Sequence, residues 1–286
     1  MPFIPPSYSD VGKPANDLFG KDFPVGSAKL EVNTTTPNGI KFTVNGNKDN
    51  KSGAIASDIK AKYTDKSKGL TFTETWTTSN VLGAQLELVD SIAPGVKLDL
   101  NASLLPEKGT KNAKAGVEYK QEYVFTRSSL DLFKGPTLFG DAVVGSNGFV
   151  AGADVAYDVS EAKVTKYGAV LGYIAPLYSV SLLSANKFTL FTASYHQKVN
   201  SDVEAGARAI WNKALPNSNV SIEVGTKVVV DKNAFFKAKI DNQGRLGLGF
   251  THTLRDGIKF AVGGLFDTTR LNADVHKVGL QLTFEG

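Results

Sequence analysis

Cysteine is absent from the 286-residue chain, and methionine occurs once, at Met1. The lack of cysteine excludes a disulfide scaffold, thiolate metal ligands and a cysteine nucleophile. No run of 18 apolar residues occurs, which argues against membrane-spanning helices. The first residues lack the basic and apolar regions of a secretory signal, so we expect none on this chain. A membrane β-barrel remains compatible with the mean hydropathy of -0.12, because its strands alternate lipid-facing and water-facing residues.

An excess of one charge sign is also missing. The chain has 32 Lys and Arg against 28 Asp and Glu, which gives a net charge of +4. A nucleic-acid-binding protein is expected to gather basic residues on one stripe with aromatic residues between them. The lysines of this chain are spread along its whole length. We therefore predict no nucleic-acid partner.

Enzyme motifs are missing as well. The histidines, His196, His252 and His276, stand apart without metal-ligand spacing, and no phosphate-binding loop, zinc-protease or nucleophile-elbow motif occurs. Asp202 and Glu204 lie on one face of a predicted strand, where solvation by water explains a pair of carboxylates better than catalysis does. The sequence predicts no enzymatic activity, no metal and no cofactor.

What the sequence does contain, from about residue 28 to its end, is one repeated unit. Eight to eleven residues of alternating apolar and polar character are followed by Gly, Pro, Asn or Asp. This pattern is typical of antiparallel hairpins and predicts about nineteen strands. The predicted turns are Pro37-Asn38-Gly39, Lys68-Gly69, Pro94-Gly95, Gly135-Pro136, Asn147-Gly148, Asn242-Gln243-Gly244 and Asp256-Gly257.

The alternation gives each strand an apolar face and a polar face. In residues 95–104, for example, Val96, Leu98 and Leu100 share one face, and charged Lys97 and Asp99 share the other. The faces of residues 123–132 and 162–173 stay ambiguous. A soluble β-sandwich would also alternate, but nineteen strands without a dividing linker are too many for one sandwich. We predict an all-β transmembrane barrel, in which closure removes the sheet edges.

Residues 1–26 follow a different rule and form a separate segment before the barrel of residues 27–286. Apolar residues recur at three- and four-residue spacing on one side, including Leu18 and Phe19, while Lys13, Asp17 and Lys21 lie on the other. The spacing predicts a short amphipathic helix. A helix of this kind can lie on the surface of a bilayer, but its mixed charge suits a water-filled lumen at least as well, and we predict that it lies inside the barrel. We expect Leu18 and Phe19 to contact the wall and the lysines to face water, with Pro14 in the first turn.

Several segments of the chain are similar to one known family. They include PPSYSDVGKPANDLFGKDF (5–23), GLTFTETWTTSNVLGAQLEL (69–88), GFVAGADVAYDVSEAKVTKYGAVLGY (148–173) and KAKIDNQGRLGLGFTHTL (237–254). The chain resembles the eukaryotic voltage-dependent anion channels, or mitochondrial porins, over essentially its whole length.

The resemblance implies a barrel whose first and last strands run parallel, since their number is odd. It implies a voltage-gated pore of the mitochondrial outer membrane that passes nucleotides, phosphate and small metabolites by diffusion through the lipid bilayer. It further implies hexokinase as a partner and association into homo-oligomers. Three alternatives remain open: a mitochondrial protein-import channel of the same fold, a soluble all-β binding protein and a bacterial outer-membrane porin.

Charges on the predicted water-filled face suggest weak anion selectivity. Fourteen basic side chains lie on that face against nine acidic ones, which is an excess of five positive charges. Positive charge lining a lumen raises the local concentration of anions. The predicted pore-lining residues include Lys62, Lys97, Lys114, Lys120, Lys237 and Lys239, together with Lys13, Asp17 and Lys21 of the helix.

One acidic residue falls on the opposite, lipid-facing side. Leu70, Phe72 and Trp76 define the apolar face of their strand, and Glu74 lies among them. An ionisable residue that faces hydrocarbon is costly and is a functional candidate for that reason. The resemblance implies that the equivalent glutamate reacts with carbodiimides and affects barrel dynamics.

Overall fold

The structure is a computed structural model that describes residues 3–133, 135–215 and 219–286. Over these residues the chain forms nineteen β-strands in one closed sheet, preceded by a 3₁₀ turn, Tyr8–Asp10, and one α-helix, α1, Lys13–Gly20. A second 3₁₀ turn, Pro106–Lys108, lies between two strands. In this described part of the chain, neither α1 nor a 3₁₀ turn is long and apolar enough to cross a membrane.

The strands are numbered in chain order and have 8 to 12 residues each. Their bounds are β1 Ser27–Thr35, β2 Lys41–Asp49, β3 Ile55–Asp65, β4 Leu70–Thr77, β5 Leu82–Val89, β6 Val96–Leu105, β7 Thr110–Gln121, β8 Val124–Asp131, β9 Thr137–Ser146, β10 Phe149–Asp158, β11 Lys163–Ile174, β12 Tyr178–Ala185, β13 Leu190–Lys198, β14 Val203–Asn212, β15 Ser221–Asp231, β16 Ala234–Asp241, β17 Arg245–Arg255, β18 Ile258–Asp267 and β19 Lys277–Glu285.

Tight turns connect most consecutive strands. The glycine of each predicted turn has a positive φ, from 46° at Gly135 to 88° at Gly148. Glycine adopts this left-handed region without the steric cost that a Cβ brings. Consecutive strands joined by these tight turns pair as antiparallel hairpins.

The sheet closes where the first and last strands meet. β1 and β19 pair in parallel, with Ala28 opposite Leu280 and Val32 opposite Phe284. The eighteen other neighbouring pairs are antiparallel. The predictions of a nineteen-stranded barrel and of one parallel pair are thus confirmed.

The register assigns every strand residue to one of two surfaces. Between β3 and β4, for instance, Lys60 lies opposite Thr75 on the luminal surface, and Ile59 lies opposite Trp76 on the outer surface. Large apolar side chains are widely exposed on the outer surface, Trp76 at 58% among them. In water such a surface would be unfavourable, whereas in a bilayer it contacts lipid.

Strand β11 contains one residue more than its partner. Ala156 pairs with Lys166 and Tyr157 pairs with Val164, so Thr165 is unpaired and forms a β-bulge. The bulge lets Lys163 and Lys166 face the lumen although three positions separate them. This extra residue explains why the alternation of residues 162–173 is ambiguous in the sequence.

We expect deletion of Thr165 to be tolerated, because it removes the bulge and leaves Val164 on the outer surface between two luminal lysines. Deletion of Thr75 within β4 is the matched control, since it moves half of a regular strand to the opposite surface. The protein lacking Thr165 should fold in detergent with native circular dichroism, and the protein lacking Thr75 should not. Equal folding of the two variants would contradict the register.

Candidate functional site

The lumen is lined by polar and charged side chains over most of its circumference. On β2, β3 and β4, the luminal positions carry Lys41, Lys60, Lys62, Thr73 and Thr75. A wall of this composition holds water, and barrels of about 16 to 18 strands already enclose an aqueous channel. The lumen is therefore the candidate functional site.

Residues 3–26, which we call the N-terminal segment, run along the luminal wall. At one end the backbone N–H of Tyr123 donates to the carbonyl oxygen of Phe3 at 2.9 Å. At the other end the N–H of Gly26 donates to Val278 O at 3.1 Å, and Asn50 N–H donates to Gly26 O at 3.0 Å. The segment is thus held at both ends by main-chain hydrogen bonds.

The first half of the segment packs on an apolar patch of the lumen. Tyr8 and Val11 belong to one buried cluster with four luminal side chains, Phe125 of β8, Val143 of β9, Val150 of β10 and Val170 of β11. Apolar residues are favourable on this part of the wall because the segment covers them and excludes water. The sequence reasoning missed this patch, although the apolar residues on both faces of residues 123–132 were its signal.

Small residues lie beneath the segment along its whole path. A Cβ at Gly145 would lie 2.7 Å from Phe3, at Gly206 2.8 Å from Leu18 and at Gly249 2.5 Å from the carbonyl oxygen of Asp22. We call these positions the small-residue track, which comprises Gly145, Gly168, Gly172, Ser181, Gly206, Gly225, Gly249, Gly263 and Gly279. The track lets the main chain of the segment approach the wall more closely than larger residues would allow.

The helix α1 begins after Gly12, whose φ of 84° breaks the chain direction after the 3₁₀ turn. Pro14 lies in the first turn, where its missing N–H has no intrahelical partner to lose. Leu18 and Phe19 are buried against the wall, with Phe19 at 0% exposure. Lys13 and Lys21 lie on the opposite side, and their side chains are 54% and 62% exposed.

The exposed side of the segment carries two local ion pairs. Lys13 Nζ lies 3.0 Å from Asp10 Oδ1, and Lys21 Nζ lies 2.8 Å from Asp17 Oδ2. Partial burial alone would raise the pKa of Asp10, but hydrogen bonds from Ser7 and Lys13 outweigh it and lower that pKa. The acid therefore stays ionised and keeps its bond to Lys13. Paired in this way, the charges of the segment nearly cancel.

Lys237 and Lys239 occupy luminal positions of β16, but their ammonium groups do not point into open water. Lys237 is 2% exposed and donates to the carbonyl oxygens of Asp17 at 2.9 Å and Lys21 at 2.8 Å. Lys239 donates to Phe19 O at 2.7 Å. Both lie near the ring of Phe23, at 5.2 and 4.8 Å from its centroid. The sequence predicts that these two lysines line the open path. In the structure their ammonium groups instead contact α1 and Lys21, the residue that follows it.

A buried carboxylate pair lies where the segment meets β9 and β10. Asp141 and Asp154 are directly opposite each other, and their side chains are almost inaccessible to solvent. Arg127 Nη2 lies 2.6 Å from Asp141 Oδ2, and Lys166 Nζ lies 3.2 Å from Asp154 Oδ2. Burial, with the nearby carboxylates of Asp154 and Asp141, raises the pKa of the Tyr8 phenol. The sequence reasoning missed Arg127, Asp141 and Lys166, because they lie on strands whose faces were ambiguous or unassigned.

The other predicted luminal lysines have different surroundings. Lys97 lies 2.5 Å from Glu87 Oε1 on the neighbouring strand. Lys114 lies 5.9 Å from the centroid of the Phe139 ring, and Lys120 is luminal opposite Phe125. Lys62 lies directly opposite Lys41. Within the described residues, Lys41, Lys60 and Lys62 have no carboxylate within 4.0 Å of their ammonium groups. We call these three residues the basic cluster.

The register corrects the predicted charge balance of the lumen. It adds four basic residues, Arg127, Lys163, Lys166 and Lys198, and seven acidic residues, Asp49, Asp131, Asp141, Asp158, Asp241, Asp267 and Glu285. Asp202 precedes β14 and no longer counts. Among the strand residues that the structure describes, the excess of positive charge is therefore three, where the sequence predicts five.

Glu74 lies on the outer surface of β4, opposite Ala61 of β3 and Ala84 of β5. Together with Trp76, Leu82 and Leu104 it lines a shallow groove between the strands. Over residues 3–133, 135–215 and 219–286, Glu74 has no ion pair. Its carboxyl group thus lies on an otherwise apolar surface.

Known proteins resemble the chain along its whole length. The sequence profile of the family described as eukaryotic porin matches residues 4–279. A "Mitochondrial outer membrane protein porin" of Neurospora crassa is 42% identical over 281 residues, which cover 98% of this chain and 99% of that protein. The protein of the same name from Candida albicans is 41% identical over 281 residues with the same coverage. The "Non-selective voltage-gated ion channel VDAC2" of Xenopus laevis is 36% identical over 283 residues, or 99% of each chain. The chain belongs to the eukaryotic porin family.

Proposed function

We propose that the protein is a voltage-gated, weakly anion-selective pore of the mitochondrial outer membrane through which nucleotides, phosphate and small metabolites diffuse. The observation that carries the proposal is a closed barrel with an apolar outer surface, a charged lumen and a helical segment held against the luminal wall. The location and the voltage dependence are further supported by the names of the Neurospora and Xenopus relatives. No residue of the lumen needs to react with a permeant, so the pore is not an enzyme.

Selectivity in this proposal comes from a small imbalance of fixed charge. In the described part of the chain, seven of the eighteen basic strand residues that face the lumen lie within 4.0 Å of an acidic side chain, and the excess of three positive charges is spread over a wide, water-filled wall. Screening at physiological ionic strength acts over about 8 Å and weakens the preference further. The basic cluster of Lys41, Lys60 and Lys62 places three positive charges on two adjacent strands, and over the described part of the chain none of them has an acidic partner within 4.0 Å. We infer that the pore favours anions without excluding cations.

The proposal also includes the lipid bilayer around the pore and its protein partners. A bilayer contacts the outer surface, and the 8- to 12-residue strands match its hydrocarbon thickness when they are tilted. Binding of hexokinase and association with a second copy of the chain are supported by the family resemblance. In this proposal Lys13, Asp17 and Lys21, on the exposed side of the N-terminal segment, line the pore.

Recordings from single channels in a planar bilayer test the proposed function. We expect stepwise conductance that falls to lower levels as the voltage increases in either direction. Under a salt gradient, the reversal potential should be small and of the sign for anions. The absence of channels from a folded preparation, or a reversal potential of the sign for cations, would contradict the proposal.

Reversing the charge of two residues in the basic cluster should change selectivity. We expect Lys60→Glu with Lys62→Glu to shift the reversal potential toward cations, because four units of charge change on the luminal wall. The matched control is Lys66→Glu with Lys68→Glu, which makes the same change in the exposed turn between β3 and β4, where bulk salt screens it. The control should shift the potential by less than half as much. Equal shifts would show that the cluster does not set selectivity.

The position of Glu74 predicts its reactivity. A carboxyl group among Phe72, Trp76 and Leu82 is accessible from the lipid, so a lipid-soluble carbodiimide should label it. Glu74→Gln should abolish that labelling and leave the open-pore conductance unchanged. Without an acid at this apolar position, amide hydrogen exchange in β3 to β5 should slow several-fold. Glu87→Gln is the control, because Glu87 faces the lumen and bonds Lys97, and it should leave the labelling intact. Labelling that persists in Glu74→Gln would refute the assignment.

A further inference from the structure

We propose that Lys237 and Lys239 are positioning residues that hold α1 against the luminal wall by capping its C-terminal end. The two side chains project from the luminal face of β16 and reach three carbonyl oxygens at the end of the helix. In this role the two lysines bind the N-terminal segment to the wall and do not attract permeant anions.

The C-terminal end of α1 is only partly completed by its own chain. Its last residue is Gly20, and the following Lys21 is extended, with φ -82° and ψ 153°. The N–H of Lys21 donates to Asp17 O at 3.1 Å, and Asp22, with a φ of 61°, is the left-handed residue that ends the turn. The last turn contains no basic residue of its own. Carbonyl groups at a helix C-terminus have no intrahelical donors, and they form the negative end of the helix dipole. Within the described residues, the carbonyl oxygens of Phe19 and Lys21 accept no main-chain hydrogen bond, so they require donors from elsewhere, and positive ones are the most favourable.

The two lysines supply those donors. Lys237 bridges the carbonyl oxygens of Asp17 and Lys21, and Lys239 bonds that of Phe19. Lys237 Nζ also lies 3.7 Å from a carboxylate oxygen of Asp22. With only 2% of Lys237 exposed, its charge has lost most of its contact with water, and the helix carbonyls replace that water. Undocking of the helix would require water to replace the carbonyl partners of Lys237 and Lys239.

The neighbouring strands are shaped to permit these bonds. Lys239 pairs with Gly225 of β15, and Lys237 pairs with Gly249 of β17. A Cβ at Gly225 would lie 3.0 Å from the Phe19 ring, and one at Gly249 would lie 2.5 Å from Asp22 O. Both glycines belong to the small-residue track. Their lack of side chains lets the helix end approach β16 closely enough for a lysine to reach its carbonyls.

A lysine one strand away lacks this role. Lys227 of β15 lies directly opposite Lys237 on the luminal face, but its ammonium group lies 3.6 Å from Glu204 and 5.0 Å from the centroid of the Phe235 ring. It makes no hydrogen bond to the N-terminal segment within the described residues. Lys227 therefore serves as a matched control with the same charge, on the same wall, and without a hydrogen bond to the helix in the described part of the chain.

The cysteine-free sequence makes the test direct. Ala15→Cys places a single thiol at a position of α1 that is 1% exposed and packs on the wall, so a water-soluble thiol reagent reports undocking. In this background, Lys237→Met and Lys239→Met, singly and together, are compared with Lys227→Met in folded protein. We expect the labelling rate to rise about tenfold or more in the double variant, because charge-assisted hydrogen bonds are lost. Lys227→Met should leave the rate unchanged.

Two further measurements separate positioning from a general loss of stability. The thermal unfolding midpoint of the barrel should remain unchanged in Lys237→Met, whereas a structural role in the sheet would lower it. Asn16→Cys, on the exposed side of α1, should label rapidly in every background. A labelling rate at Ala15→Cys that stays at its starting value in the double variant, or that rises equally in Lys227→Met, would overturn the proposal. Because labelling needs no pore assay, this outcome is independent of the proposed transport function.

Discussion

Every main-chain N–H and C=O group that lies in a bilayer needs a partner within the protein, and this requirement determines the architecture of the chain. Nineteen strands satisfy it by closing into one sheet, and the parallel pair of β1 and β19 supplies the last row of hydrogen bonds. Closure then fixes the chemistry of both surfaces. The outer positions must be apolar, and the inner positions are free to carry charge because they face water.

The same closure creates the environment of the N-terminal segment. In a water-filled lumen an isolated eight-residue helix would unfold, because it is too short to be stable alone. Here the wall compensates at three places: the apolar patch under Tyr8 and Val11, the small-residue track, and the lysines that cap the C-terminal end. The helix is thus a product of the barrel as much as of its own sequence.

These dependences explain which features could be predicted from sequence. Turns and alternation are local signals, and they gave the barrel, its strand number and the outward position of Glu74. Strands β8 and β11 were ambiguous for two physical reasons. Phe125 on the luminal face of β8 is apolar because Tyr8 and Val11 cover its surroundings, and Thr165 interrupts the alternation of β11 with a bulge. The capping role of Lys237 depends on residues 216 to 220 positions away, which alternation along one strand cannot reveal.

The parallel seam has a consequence for how the protein is made. A hairpin forms as soon as its two strands exist, but β1 obtains its second partner only when β19, at the far end of the chain, has been synthesised. Until then an incomplete chain has two unpaired edges and an apolar surface, which is the combination that aggregates in water. Insertion during synthesis would expose those edges to hydrocarbon. The topology therefore favours closure at the membrane only after the whole chain has been synthesised.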